Sequence, residues 1–184
     1  ADGSYSYVAN QDAADALDVG DSVTDSFNYT LSDGTATDIG VIAITILGAN
    51  DNPTAVNDTG YIKEGGTLTV ANSAAASSGT STGNHTGDIT DNDTDADASS
   101  TATITSITAT TASGNAQTTF SSSSETVSGS YGTLTINSNG SYSYVANSNI
   151  SGLDAGDANI TDVFTYIVSD GTATSTATLT INVI

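Results

Sequence analysis

Asp91-Asn92-Asp93-Thr94-Asp95-Ala96-Asp97 places four carboxylates within seven residues. Short acidic side chains spaced by two in a loop can converge on one ion. Their oxygens are the hard donors that calcium takes, about six to eight at a time. A second oxygen-rich stretch precedes this loop: Asn50-Asp51-Asn52-Pro53, then Asn57-Asp58 and, further on, Glu64. The candidate ligands are therefore Asn50, Asp51, Asn52, Asp58, Glu64, Asp91, Asp93, Asp95 and Asp97, and the candidate ion is Ca2+. The spacing is not that of an EF-hand, since the sixth-position Gly and twelfth-position Glu are missing. Zinc is disfavoured by a chain with one His and no Cys. An acidic loop is most often simply solvated, but here only Lys63 is available to pair with the acids.

Other polar residues have plainer readings. Asp33 and Asp170 each precede a Gly and are expected to shape turns. Asp18 and Asp21, like Asp154 and Asp157, are expected to shape a loop around Leu17 or Leu153. His85 sits in a polar stretch and is expected at the surface. Lys63 beside Glu64 reads as a surface pair. The Asn-x-Ser/Thr triplets at Asn28, Asn84 and Asn159 are expected by chance in so Thr-rich a chain.

The composition restricts the partners. The 184 residues carry 21 acids against one base, a formal charge of -20. Such a chain cannot grip a phosphate backbone, whose affinity comes from many Lys and Arg contacts. It cannot dock on an anionic membrane surface either. It repels itself unless cations neutralise it. Without Cys there is no disulfide and no thiol nucleophile, so a core, a metal or both must hold the fold. No apolar run approaches the roughly 20 residues of a membrane-spanning helix.

An internal repeat organises the chain. Residues 2–10, DGSYSYVAN, return as NGSYSYVAN at 139–147. Thr24-Asp25-x-Phe27-x-Tyr29 returns as Thr161-Asp162-x-Phe164-x-Tyr166, and Ser32-Asp33-Gly34-Thr35-Ala36-Thr37 as Ser169-Asp170-Gly171-Thr172-Ala173-Thr174. The offset is 164 − 27 = 137. Residues 1–47 are thus expected to be the C-terminal part of a preceding repeat and 48–184 one full repeat, a window on a longer tandem array.

Period-2 alternation of aromatic and β-branched residues with Ser and Thr predicts strands. Phe164, Tyr166 and Val168 share one face, as do Leu179, Ile181 and Val183. The earlier copy repeats this with Phe27, Tyr29 and Leu31, then Ile42, Ile44 and Ile46. Leu134 and Ile136 lead through Asn139-Gly140 to Tyr142 and Tyr144, a hairpin. Further strands are expected at 60–64, 67–71, 101–109, 117–120 and 125–128. DAADAL at 12–17 is expected to make one helical turn. Six to nine short strands predict an all-β, antiparallel β-sandwich.

The runs GSYSYVAN, LDAGD, TDVFTYIVSDGTATSTATLTINVI and GANDNPTAVND resemble VCBS repeats and bacterial cadherin-like domains over nearly the whole chain. Ala98-Ser99 replaces a more common Gly-Asp in the acidic loop, and the cadherin-type Asp-Arg-Glu motif is absent. The resemblance implies Ig-like sandwiches strung in tandem in large extracellular or surface proteins of bacteria, RTX-type adhesins among them. It also implies calcium at the junctions. Asn50, Asp51 and Asn52 would be linker ligands, Asp58 and Glu64 would belong to the following domain, and Asp93 and Asp95 would complete a junction.

The expected function is a calcium-stiffened structural or adhesion module whose partners are neighbouring repeats of the same protein. The alternative is a homo-oligomer, a subunit of an extracellular filament or matrix fibre. A glycan-active enzyme using paired carboxylates is disfavoured, because the acids lie in turns without a cationic or imidazole partner. Carbohydrate binding through Tyr5, Tyr7, Tyr142 and Tyr144 competes with their alternation, which suits core packing.

Overall fold

Alternation written from Asp58 onward becomes nine strands among the described residues. The computed structural model describes residues 2–10, 12–71, 87–97, 102–111, 118–151, 153 and 160–184. Asn84, His85, Ala98-Ser99, Asp154, Asp157 and Asn159 lie outside the described residues. In chain order the elements are α1 (Asp12–Asp15), β1 (Ser22–Ser32), β2 (Thr37–Leu47), β3 (Asp58–Ile62), β4 (Thr67–Val70) and β5 (Thr103–Ala109). They continue with β6 (Thr118–Thr119), β7 (Ser124–Ser128), β8 (Gly132–Asn137), β9 (Tyr142–Ala146), β10 (Ile160–Ser169) and β11 (Thr174–Val183). The chain divides into two compact units. The first holds residues up to Asp51 with Ala96 and Asp97, and the second holds Asn52–Asp95 and the remainder.

The second unit is a β-sandwich. One sheet has the order β3-β11-β10-β5-β6 and the other β4-β9-β8-β7. Every pairing is antiparallel except β11 with β3, which is parallel from Leu179↔Asp58 to Val183↔Ile62. The sandwich is therefore antiparallel-dominated rather than antiparallel throughout. The reason is local: after β3 the chain turns through Gly65-Gly66 and enters the other sheet as β4, so β3 makes no hairpin with its sheet neighbour. The inward residues of both sheets form the core, with Tyr144, Tyr166, Phe164, Leu134, Leu179 and Ile181 fully buried. Burying each such side chain contributes about 1.5–3 kcal/mol. Tyr144 and Phe164 meet edge to face at 6.2 Å, a favoured aromatic geometry.

A buried carboxylate joins the two layers. Asp162 of β10 is fully buried. Its Oδ1 accepts from Ser130 N at 2.8 Å and from the Thr111 hydroxyl at 3.0 Å. Its Oδ2 accepts from Tyr131 N at 3.0 Å and from the Tyr144 hydroxyl of β9 at 2.6 Å. Burial, then the bond to Asp162, pushes the Tyr144 hydroxyl far above its ordinary pKa. Position 129 must be glycine for this approach, since a Cβ there would lie 2.0 Å from Asp162 Oδ2.

The first unit is smaller. DAAD forms the single helical turn α1, and β1 pairs with β2 from Ser22↔Leu47 to Ser32↔Thr37. The turn is as read from the sequence. Asp33 Oδ1 accepts from Thr35 N and Ala36 N, both at 2.8 Å, and Asp170 Oδ1 repeats this with Thr172 N and Ala173 N at 2.6 Å. One expectation needs correction. Phe27, Tyr29 and Leu31 are not core residues here but are exposed. Among its described residues the first unit has one two-stranded sheet and no opposing layer. Tyr5 is exposed as well, while Tyr142 and Tyr144 are buried as their alternation suggests.

Replacing Asp162 by Ala strands four donors, the buried Tyr144 hydroxyl and three part-buried groups, and a buried one left unsatisfied costs about 1–3 kcal/mol. Urea unfolding should show a loss of roughly 3 kcal/mol or more for Asp162→Ala. For Tyr144→Phe, which removes one donor and leaves the carboxylate otherwise bonded, the loss should be roughly 1.5–3 kcal/mol. Equal stabilities for all three proteins would show that the carboxylate is not what ties the layers.

Candidate metal centre

The acidic loop begins earlier than the sequence pattern suggests. Asp88 Oδ1 accepts from Thr90 N and from the Thr90 hydroxyl, both at 2.8 Å, closing an Asx-type turn. Ile89 between them is fully buried and anchors the turn in the core. Asp91 Oδ2 accepts from Asp88 N at 3.2 Å, and Asp93 N donates to Thr90 O at 3.3 Å. A short antiparallel bridge between Thr54 and Thr94 then pins the segment before β3 against the loop. Val56 N donates to Asp93 Oδ1 at 2.7 Å.

These contacts bring acids and oxygens together around the start of β3. Asp58 and Asp88 are buried. Asp58 Oδ1 accepts from Asn92 Nδ2 at 3.1 Å, and its Oδ2 lies 2.8 Å from the Tyr166 hydroxyl. That hydroxyl also lies 2.8 Å from Val56 O and 3.2 Å from Ile89 O. It has one proton and three oxygens around it. Asn92 Oδ1 and Asp93 Oδ2 are buried with no hydrogen-bond donor, and the Tyr142 hydroxyl is buried with no partner.

The electrostatics agree. Burial, with the charge of Asp88 adding to it, raises the Asp93 pKa against the lowering effect of the Val56 N–H. Burial, then Asp58 and its bond, and then Asp93, push the Tyr166 hydroxyl far up. Burial followed by Asp58 and Asp88 does the same to Tyr142. A positive charge here would relieve each of these groups. Lys63 does not supply it, because it is exposed beyond the far end of β3.

The nine expected ligands are not one cluster. Asn50, Asp51 and Asp97 belong to the first unit, where Asp51 N donates to Asp97 Oδ2 at 2.9 Å. Asn52, Asp58, Glu64, Asp91, Asp93 and Asp95 belong to the second. Within it Asp58 and Asp93 come together around Tyr166, with Asn92 beside them. Asp91 is exposed and holds the turn at Asp88. Glu64 stands at the opposite end of β3, roughly 20 Å from Asp58 by strand rise. There its Oε1 accepts from Ile150 N at 2.5 Å. Among the described residues no three acids are grouped closely enough to form a ready metal cage. The donors that fit a hard cation are mixed: carboxylate, amide and main-chain oxygens. Sequence reasoning missed Asp88 and Tyr166. The pattern Asp88-Ile89-Thr90 does carry an Asx-turn signal, but nothing local marks Tyr166 as the tyrosine that reaches Asp58.

The sequence profile of the bacterial cadherin-like domain matches residues 50–184. No curated protein sequence matches the chain. Among solved structures, the mouse clustered protocadherin γC3 ectodomain EC1-3 is similar at 14% identity and a TM-score of 0.40, over 96% of this chain and 47% of that one. An endo-fucoidan hydrolase of glycoside hydrolase family 107 is similar at 20% identity and a TM-score of 0.29, over 94% of this chain and 19% of that one. The chain spans about half the length of the first and about a fifth of the second.

The Asp93 shift has a sign that can be checked. In the unfolded chain Asp93 titrates near 3.8, and in the fold it titrates higher. As pH rises between these values the unfolded state releases its proton first, so the fold loses stability. In calcium-free solution Asp93→Asn should therefore melt higher than the parent at pH 7, with the gap closing as pH falls toward 4. A variant that melts lower at pH 7 in chelator would contradict it.

Proposed function

The chain belongs to the bacterial cadherin-like domain family, and we propose that within it the chain is a calcium-stiffened module of a tandem array. As a cadherin-like domain it is a structural and adhesive module of the extracellular or cell-surface kind, not an enzyme. The single observation that carries the calcium reading is a pair of buried oxygens without a hydrogen-bond donor, Asn92 Oδ1 and Asp93 Oδ2, on neighbouring residues beside Asp58. Buried polar oxygens are ordinarily bonded, and buried charges are ordinarily paired. Here Asn92 Oδ1 and Asp93 Oδ2 have no donor.

Calcium, when bound, would supply a positive charge beside these two oxygens. Asp93, Asn92 and Asp58 would hold it in the second unit. The linker residues Asn50, Asp51 and Asn52, with Asp91, Asp95, Asp97 and Glu64, are the further acids and amides through which calcium would stiffen junctions between repeats. The 137-residue offset supports the tandem reading. It makes residues 1–47 the back part of one repeat and 48–184 a whole one, with neighbouring repeats as the natural partners.

Thermal melts in excess chelator and in excess calcium test this. At a calcium concentration of about 100 Kd the fold gains about 2.7 kcal/mol, so the melting temperature should rise by roughly 5–10 °C. Magnesium, which gives up its water reluctantly, should do much less. Asp93→Asn should abolish most of the calcium-dependent rise, while Asp33→Asn should leave it. Identical melts with and without calcium would overturn the proposal.

A further inference from the structure

The two copies of the back strands meet different surroundings. Phe164, Tyr166 and Val168 are fully buried, as are Leu179, Ile181 and Val183. The residues 137 positions earlier on β1 are Phe27, Tyr29 and Leu31, which are 47%, 48% and 67% exposed. Ile42, Ile44 and Ile46 on β2 are only half-buried. Yet the first hairpin is built like the second. Phe27 faces Ile42 as Phe164 faces Leu179, which is the same register. Tyr7 and Phe27 meet edge to face at 6.1 Å and 63°, against 6.2 Å and 68° for Tyr144 and Phe164. The Tyr7 hydroxyl donates to Asp25 Oδ2 as Tyr144 does to Asp162. A hollow on this face is lined by Tyr7, Ala9, Ala13, Val23, Asp25 and Ile46.

The second unit displays what covers such a face. β5 pairs antiparallel with β10, β3 pairs parallel with β11, and β8 and β4 flank β9. Asp162 receives two consecutive main-chain N–H groups, from Ser130 and Tyr131, and the Thr111 hydroxyl. The described residues of the first unit contain no counterpart of these strands or donors, and the outer edges of β1 and β2 pair with no other strand of its sheet. Exposed apolar faces of this extent and open strand edges mark binding surfaces.

We propose that the inner face of the first unit binds the front half of a cadherin-like repeat. The occupant is a polypeptide with the strand chemistry of residues 48–137, not closed by a back hairpin of its own. One of its strands would add antiparallel to β1 and another parallel to β2. A turn would aim two successive N–H groups at Asp25. A second copy of this chain is a poor occupant, because its front half is already closed by β9, β10 and β11. Exchanging hairpins would expose as much apolar face as it covers. The inference rests on the repeat reading and not on calcium.

Hydrogen exchange tests it, with calcium and with chelator alike. The 184-residue chain is compared with a chain carrying an added copy of residues 48–137 ahead of Ala1. In the longer chain the amides of β1 and β2 should exchange at least a hundredfold more slowly, approaching those of β10 and β11. Phe27→Ala or Asp25→Ala in the longer chain should cost at least tenfold of that protection while leaving β10 and β11 unchanged. Unaltered exchange of β1 and β2 in the longer chain overturns the proposal. So does concentration-dependent protection of β1 and β2 in the 184-residue chain alone, which would make a second copy the occupant. A failed calcium melt leaves this readout standing, so the two readings fail separately.

Discussion

The sandwich depends on the Asp162 carboxylate, which carries hydrogen bonds from both sheets and from the turn between β7 and β8. Tyr144 reaches it from one layer, Ser130 and Tyr131 from the turn, and Thr111 from the end of β5. A buried carboxylate is costly unless its oxygens are fully bonded. Here four donors meet it without any cation, so register, turn and layer spacing must all be right at once. Apolar packing alone would tolerate a slip in any of them. The Tyr–Asp pair therefore selects one packing among many that would bury the same area.

A second buried acid, Asp58, shows the opposite balance. It also accepts from a core tyrosine, but it shares that hydroxyl with two main-chain carbonyls, and Asp88 and Asp93 stand near. Asp162 has protons enough and stays within the protein's own bonding. Beside Asp58, the Asn92 Oδ1 and Asp93 Oδ2 oxygens are buried without a donor, an arrangement that favours something positive. The difference explains how one chain can use aspartate both as a structural tie and as a candidate ligand, with almost no base to balance either. The net charge of -20 is thus not uniform in meaning. Asp33 and Asp170 serve turns, Asp162 serves the core, and Asp93 keeps a buried oxygen without a hydrogen-bond donor.

The two hairpins separate local from tertiary effects within one molecule. β1–β2 and β10–β11 share the same turn residues, the same register and the same aromatic pair. One is the centre of a sandwich and the other presents its apolar side. Local sequence suffices for the hairpin, because its strands are neighbours in sheet and sequence, and the Tyr–Asp contact, 18 residues apart, recurs with it. It does not suffice for burial, which needs strands from elsewhere.

Alternation, Asx-type turns and Asn139-Gly140 determined the strands, the hairpins and the sandwich class, because side-chain period and turn chemistry are local properties. The repeat determined which residues would be equivalent, including the Tyr7–Asp25 and Tyr144–Asp162 pairs, whose common spacing of 18 is visible in the chain. The rest was decided by tertiary structure. The parallel pairing of β3 with β11, the distance from Asp58 to Glu64 and the meeting of Asp58 with Tyr166 join residues far apart in the chain. Hydrogen-bond supply at a buried oxygen depends on every neighbour that folding brings to it. For that reason the acids were legible one by one, while their division into bonded, exposed and proton-starved was not.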